Sequence, residues 1–177
     1  MSGAAVLVSN IHERTLPAAM SQAAPLLDQL ASENDLVWPY ENWPAIRFDR
    51  PLSVGAAGGH GPVLYFIEAY NPGKFIRFRF TAPRGFIGTH EFELAPAGDD
   101  KITLRHSLVM RAEGPALLSW PLIFRPLHDA LVEDALDRAE RHMGLTPKPA
   151  RWSLYVRFLR KVLVLLSRLQ STNSSLR

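Results

Sequence analysis

Hydrophobic and polar side chains alternate through four runs between residues 63 and 111, the period of strands buried on one side. Over residues 101–111, Ile102, Leu104, His106, Leu108 and Met110 share one face. Lys101, Thr103, Arg105, Ser107 and Arg111 share the other, with Val109 as the exception. Over residues 86–94, His90 lies on the same face as Phe92 and Leu94. If even-numbered residues face inward on both strands, one register sets His90 directly opposite His106, and a two-residue slip leaves them diagonal neighbours. Asn71-Pro-Gly-Lys74 joins residues 63–70 to 75–81 as a hairpin. With Pro72-Gly73 as a two-residue loop, Glu68 falls opposite Arg77 and Phe66 opposite Arg79. Tyr65, Ile67 and Ala69 then meet Phe80, Phe78 and Ile76 on the inner face, because the arginines prefer water. Residues 4–14 alternate weakly and residues 45–49 form a short strand, so about six strands are predicted.

The period then changes. Residues 126–144 read as an amphipathic helix, with Pro126 at its first position, Asp129 in its first turn, and Arg138, Arg141 and His142 near its end. Gly144 supplies the left-handed stop, and Pro147 follows. Leu131, Ala135, His128, Ala139, Val132, Met143 and Leu136 fall within an arc of roughly 140°. Asp129, Glu133, Asp134, Asp137, Arg138, Glu140 and Arg141 take the other side. His128 interrupts the apolar arc. It is either a core histidine bonded to a carbonyl or water, or a group pointing into a ligand cavity. Together these elements predict an α+β fold in which a curved antiparallel sheet wraps the helix and leaves a cavity between them.

Residues 17–31 have helical spacing around Pro25, giving two short helices or one kinked helix. Residues 38–44 form an aromatic connector. Residues 115–124, apolar with Pro121 inside, predict a short irregular helix that leads into the long one and covers a mouth of the barrel. Residues 151–169 form a second amphipathic helix. Trp152, Tyr155, Val156, Leu159, Val162, Leu163 and Leu166 lie on one side, with Arg157, Lys161 and Arg168 opposite. Either it packs on the parent domain or a second copy, or it lies on a membrane surface. The organisation is therefore a domain over 1–146, an appended basic helix over 147–170 beyond a Thr-Pro-Lys-Pro hinge, and a loose end over 171–177.

Charge sharpens this division. Of the 177 residues, those from 151 onward carry six basic and no acidic side chains, whereas residues 1–150 carry 14 basic and 17 acidic. The net charge of +3 thus comes from the tail, and the body lacks the basic balance of a nucleic-acid-binding domain. There is no cysteine, hence no disulfide or thiolate chemistry. The N-terminal MSGAAVLVSN has no basic region or long apolar core, and no apolar run approaches a membrane span. A cytoplasmic location is the expectation.

The Gly-rich run 55–61 lacks the following helix that a phosphate loop requires, since Pro62 and a strand follow. It reads as a mobile rim loop. No nucleophile elbow, His-Glu-x-x-His or cysteine ligand set is present, and no cofactor or metal site is assigned. The chemistry that remains is the convergence of His90, His106 and His128 on one interior. Three imidazoles can anchor a polar group, abstract a proton near neutral pH, or hold zinc. No carboxylate on the same faces is evident to orient a ring.

The order strand, short helices, five strands, long helix, together with WPAIRFDRPLSVGAAGGHGPVLYFIEAYNPGKFIRFRFTAPRGFIGTHEFEL, resembles bacterial members of the SRPBCC superfamily of helix-grip proteins. That superfamily includes START-like lipid carriers and polyketide cyclases. The resemblance covers about residues 4–144; the helix beyond Gly144 departs from it. It implies an apolar or aromatic small molecule held between sheet and long helix, by Tyr65, Ile67, Phe78, Phe80, His90, Phe92, Leu104, His106, Leu108, His128, Leu131 and Ala135. The alternative it implies is a cyclase- or dehydratase-like enzyme with His90, His106 and His128 as acid and base. The expected partners are the ligand and, through residues 151–169, a membrane surface or a second copy.

Overall fold

The structure, a computed structural model, describes residues 4–174, with side chains through residue 165. Seven antiparallel strands form a single sheet: β1 (Ala5–Leu16), β2 (Arg47–Phe48), β3 (Ala57–His60), β4 (Val63–Asn71), β5 (Phe75–Ala82), β6 (Phe86–Pro96) and β7 (Ile102–Glu113). Their order is β1-β7-β6-β5-β4-β3-β2. The helices are α1 (Met20–Asp28), α2 (Ala116–Ser119), α3 (Arg125–His142) and α4 (Leu154–Ser174), with a π-helical turn, Trp120–Phe124, between α2 and α3. This is the expected α+β architecture, with the sheet's inner face packed on the long helix.

The seventh strand comes from the Gly-rich run. Residues expected as a mobile loop instead form β3, bridging β2 and β4. Glycine makes this possible, because a Cβ on Gly58 would lie 1.9 Å from the carbonyl oxygen of Arg47. The run serves close backbone approach, and it carries His60 into the sheet.

Alternation along β7 is as expected, with Ile102, Leu104, His106, Leu108, Met110 and Ala112 all buried. The diagonal register is the one adopted: His90 pairs with Leu108, and His106 with Phe92. In the β4–β5 hairpin, Tyr65, Phe66 and Ile67 face Phe80, Arg79 and Phe78 as predicted. Nearer the turn the prediction fails. Asn71 pairs with Phe75, so the loop has three residues, and a bulge at Glu68 restores the register. The turn is held from outside, by the Gly73 N–H donating to Asp28 Oδ1 on α1 at 2.7 Å. Gly73 takes the left-handed conformation that such a loop requires (φ +66°). Displaced by the bulge, Glu68 pairs with Arg79 rather than Arg77, and Arg77 turns to Glu91 at 2.6 Å.

The long helix has no free N-terminus at Pro126. Helical backbone enters from α2 through the π turn, so neither Pro126 nor Asp129 caps it. Pro121 and Pro126 each lack an N–H for the regular ladder, and the wider π turn is a common way to absorb such a mismatch. The C-terminus is a Schellman stop, with Gly144 N–H donating to Arg141 O at 3.0 Å and Leu145 N–H to Glu140 O at 2.9 Å.

The polar side of the long helix has a partner that its own spacing does not reveal. Asp129, Glu133, Asp137 and Glu140 recur at helical spacing and face the inner side of β1, whose even positions include Asn10, His12 and Arg14. Asn10 Nδ2 donates to Asp129 Oδ1 at 2.8 Å, and His12 Nδ1 meets Glu133 Oε1 at 2.7 Å. Arg14 reaches Glu133 at 2.5 Å, with Asp137 and Glu140 each at 3.6 Å. A polar edge strand is thereby fastened to an acidic helix stripe.

α4 folds back on the domain. Val156 and Leu159 are buried, and Trp152 and Leu163 pack against the main core. Asp134 accepts the indole N–H groups of both Trp43, at 2.7 Å, and Trp152, at 3.1 Å. Arg160 lies 3.7 Å from the centre of the Trp152 ring. Tyr155 and Val162, expected on the packed side, sit at its exposed margin, although the Tyr155 hydroxyl donates to Leu122 O at 2.6 Å. The side chains of Leu166 and Arg168 lie outside the described residues. α4 runs through Ser174 where a loose end was expected from residue 171, and residues 175–177 are likewise outside the description. Among the described residues, no helix is long and apolar enough to cross a membrane.

Glu133→Ala removes the shared acceptor of His12 and Arg14. It is expected to cost about 1–2 kcal/mol, a loss between that of an exposed ion pair and a buried charged hydrogen bond. Amide exchange should accelerate selectively in β1. Urea unfolding and exchange mass spectrometry check this, and unchanged β1 protection would contradict the fastening role.

Candidate functional site

Between the sheet and α3 lies a cavity of about 120 Å³. Trp38, Trp43, Pro44, His60, Pro62 and Val63 line one part of it. Phe80, Phe86, His90, His106 and Leu108 come from the sheet, and Trp120, Ile123, Phe124, Leu127, His128, Leu131 and Val132 from the helical run. Leu163 of α4 contributes the last wall. The volume approaches that of a core hole known to accept a benzene-sized guest, about 150 Å³.

Of the twelve residues assigned from the sequence, Phe80, His90, His106, Leu108, His128 and Leu131 line this cavity. Tyr65, Ile67, Phe78, Phe92, Leu104 and Ala135 are buried in the core behind it. Tyr65 still bears on the site, its hydroxyl lying 3.0 Å from His60 Nδ1 and its ring 4.8 Å from that of His90. His60, the three tryptophans and the π-turn residues were missed as ligand contacts. Residues 115–124 do cover the cavity as expected, through Trp120, Ile123 and Phe124.

The expected convergence of histidines is present. His90 and His106 ring centres are 5.6 Å apart, and those of His106 and His128 are 5.0 Å apart. His90 is packed between aromatic rings, with Phe80 stacked on it at 4.7 Å and Phe78 at 4.9 Å. His90 Nε2, His106 Nδ1 and both ring nitrogens of His128 are buried without a hydrogen-bond partner in the protein. Such orphaned groups are uncommon in folded chains and mark places where something else is to be bonded.

Burial holds these rings neutral. Desolvation drives His90 and His106 well below the ordinary histidine value, with neighbouring imidazoles adding to the effect. The same cause pushes His60 down to about 3. His128 is lowered by burial, against the favourable charge of Asp129. His12 moves the other way: its hydrogen bond to Asp129 raises it, with Glu133 assisting and burial opposing. Asp129, which burial alone would raise, is held well below the carboxylate range by bonds from His12 and Asn10 among others. A carboxylate beside the histidines is therefore present, contrary to expectation. It stands 3.7 Å from His128 Nδ1, longer than a hydrogen bond.

No known family's sequence profile matches the chain, and no curated protein sequence does either. Solved structures share its fold. CalU16 from Micromonospora echinospora is 13% identical with a TM-score of 0.54, covering 92% of this chain and 94% of its own. Truncated norcoclaurine synthase from Thalictrum flavum is 14% identical with a TM-score of 0.58, covering 80% and 96%. A protein from Thermobifida fusca is 14% identical with a TM-score of 0.58, covering 80% and 99%. These likenesses show the fold, the α+β helix-grip arrangement expected from the sequence.

A histidine held neutral in the fold binds fewer protons than its unfolded counterpart below pH about 6.5, so its contribution is complete above that value and is lost as pH falls through it. His12, raised in the fold, contributes fully below pH 6.5 and does not mask the loss. Stability is expected to drop between pH 6.5 and 5 by up to about 1.4 kcal/mol per pH unit for each neutral histidine. His90→Phe should flatten that slope by about one such increment in urea unfolding at stepped pH. An unchanged slope would show that His90 titrates normally.

Proposed function

We propose that this protein binds a small apolar or aromatic molecule carrying one or two uncharged polar groups, in the cavity between the sheet and α3. The observation that supports this most is the set of orphaned nitrogens on His90, His106 and His128, set among aromatic and aliphatic walls. A neutral imidazole offers one donor and one acceptor, so it suits a phenol or carbonyl better than an anion. The fold neighbour norcoclaurine synthase has been solved with dopamine and hydroxybenzaldehyde, both rings with polar substituents. α4 covers the cavity through Leu163 and the Trp43–Trp152–Asp134 contact.

A cyclase- or dehydratase-like role needs a general base oriented by a partner. His128 Nδ1 stands 3.7 Å from Asp129, a separation that can shorten around a bound substrate, so it is the cavity's mainly apolar and aromatic lining that favours binding.

Phenol and toluene have nearly the same shape and differ in one hydroxyl. Phenol is expected to bind roughly 5- to 150-fold more tightly, the range of about 1–3 kcal/mol for satisfying a buried polar group. Trp38, Trp43 and Trp120 line the cavity, so tryptophan fluorescence reports occupancy. His106→Phe should erase the preference. Equal binding of the two probes would overturn polar anchoring, and no saturable binding of either would overturn the cavity reading.

The outer side of α4 exposes Leu154, Phe158 and Leu165 beside Arg157 and Lys161, the composition of a helix that rests on an anionic membrane surface. The chain is expected to sediment with phosphatidylserine-containing vesicles and less with neutral ones, and Phe158→Asp should weaken this. A dimer mass without vesicle binding would assign the face to a second copy instead.

A further inference from the structure

The cavity gives no role to His12, which is not among its lining residues, or to the grouping of His12 with His128 and Asp129. We propose that His12 Nε2, His128 Nδ1 and Asp129 Oδ1 form a binding site for a divalent first-row transition metal of the zinc class. The inference shares His128 with the proposed guest cavity, and its test reads metal rather than guest binding.

The geometry is that of a three-ligand face. Asp129 Oδ1 lies 3.3 Å from His12 Nε2 and 3.7 Å from His128 Nδ1, and all three ligand atoms are within 4.8 Å of one another. With metal–ligand bonds of about 2.0–2.1 Å, the edge of a tetrahedral site is about 3.4 Å. Two edges are already near that length. The third, between the two histidines, is bounded by 4.8 Å.

The groups around His12 and Asp129 are those that such ligands require, while His128 Nε2 has no partner in the protein. Metal-bound histidines characteristically donate their other ring N–H to a carboxylate, which fixes the tautomer and ring orientation. His12 does so toward Glu133 Oε1 at 2.7 Å, and its Nε2, which bonds Asp129 Oδ1 at 3.3 Å through a proton, would offer a lone pair to a metal on losing that proton. The ligating carboxylate is itself held, by Asn10 Nδ2 at 2.8 Å. Of the neighbouring arginines, Arg14 bonds Glu133 and Arg125 lies 3.8 Å from Asp129 Oδ2, the oxygen not offered as a ligand.

Charge makes the same demand. A neutral His12 would set a nitrogen lone pair against a carboxylate oxygen, so a cation must come between them. A proton on Nε2 satisfies that one edge and leaves both nitrogens of His128 orphaned. A metal ion satisfies all three ligand atoms together and leaves only His128 Nε2 without a partner. Two imidazoles and one carboxylate select zinc-class ions over magnesium or calcium, which prefer oxygen. Three protein ligands leave a further position for water or a ligand oxygen.

Tag-free, chelator-stripped full-length protein titrated with Co²⁺ is expected to develop the intense visible bands of low-coordinate cobalt at one equivalent, and Zn²⁺ should displace it. His128→Gln and Asp129→Asn should abolish the one-equivalent signal. Glu133→Gln should weaken affinity roughly 10- to 100-fold, the loss typical of an outer-shell partner. His142→Gln, at an exposed histidine elsewhere, should change nothing. Absence of saturable one-to-one binding by the unaltered chain would overturn the site, as would binding that survives both ligand substitutions. Should a variant fail to fold, Co²⁺-induced paramagnetic shifts in the unaltered chain decide. Shifts centred on the His12 and His128 rings support the site, and shifts centred on any other histidine overturn it.

Discussion

A polar edge strand fastened to an acidic helix stripe sets the geometry of this molecule. β1 presents Asn10, His12 and Arg14 where a sheet's inner face would ordinarily be apolar, and α3 answers with Asp129, Glu133, Asp137 and Glu140. Hydrogen bonds between these long side chains fix the direction of α3 across the sheet. Leu131, Val132, Ala135 and Leu136 close the other side of the helix onto the core. The hollow remains toward the start of α3, where the helical run passes through the π turn and aromatic groups, rather than small side chains, form the walls.

The same arrangement divides the histidines electrostatically. His12 sits in the carboxylate network and gains a proton's affinity; His60, His90 and His106 sit behind aromatic rings and lose it. A few ångströms separate a charged region from a dry one. His128 belongs to both, lining the cavity and lying 6.1 Å, ring to ring, from His12. Any molecule or ion held near His128 would couple the cavity to the network that fastens the helix.

Much of this was legible in the chain because alternation reports burial directly. The even face of β7, the placement of His90 with Phe92, and the position of His128 in an apolar arc together located three of the cavity histidines. What escaped notice has physical causes. Helical periodicity treats polar residues as solvent-facing, so the acidic stripe of α3 could not be assigned until the polar inner face of β1 was known to oppose it. β1 alternates weakly for the same reason. His60 was hidden because glycines signal freedom by type, whereas Gly58 is there for contact with β2. The slip at Glu68 accompanies the grip of Asp28 on Gly73, a contact between distant parts of the chain that no local turn rule contains.

The central claim is that one interior holds neutral imidazoles beside a charged one. Ring ¹⁵N shifts of the histidines, recorded by NMR at pH 6 on the intact chain, test it most directly. His60, His90 and His106 are expected as neutral single tautomers, while His12 appears doubly protonated in metal-free protein. Fast averaging of His90 and His106 near the value of free histidine would contradict the account, since it would mean that those rings are in water.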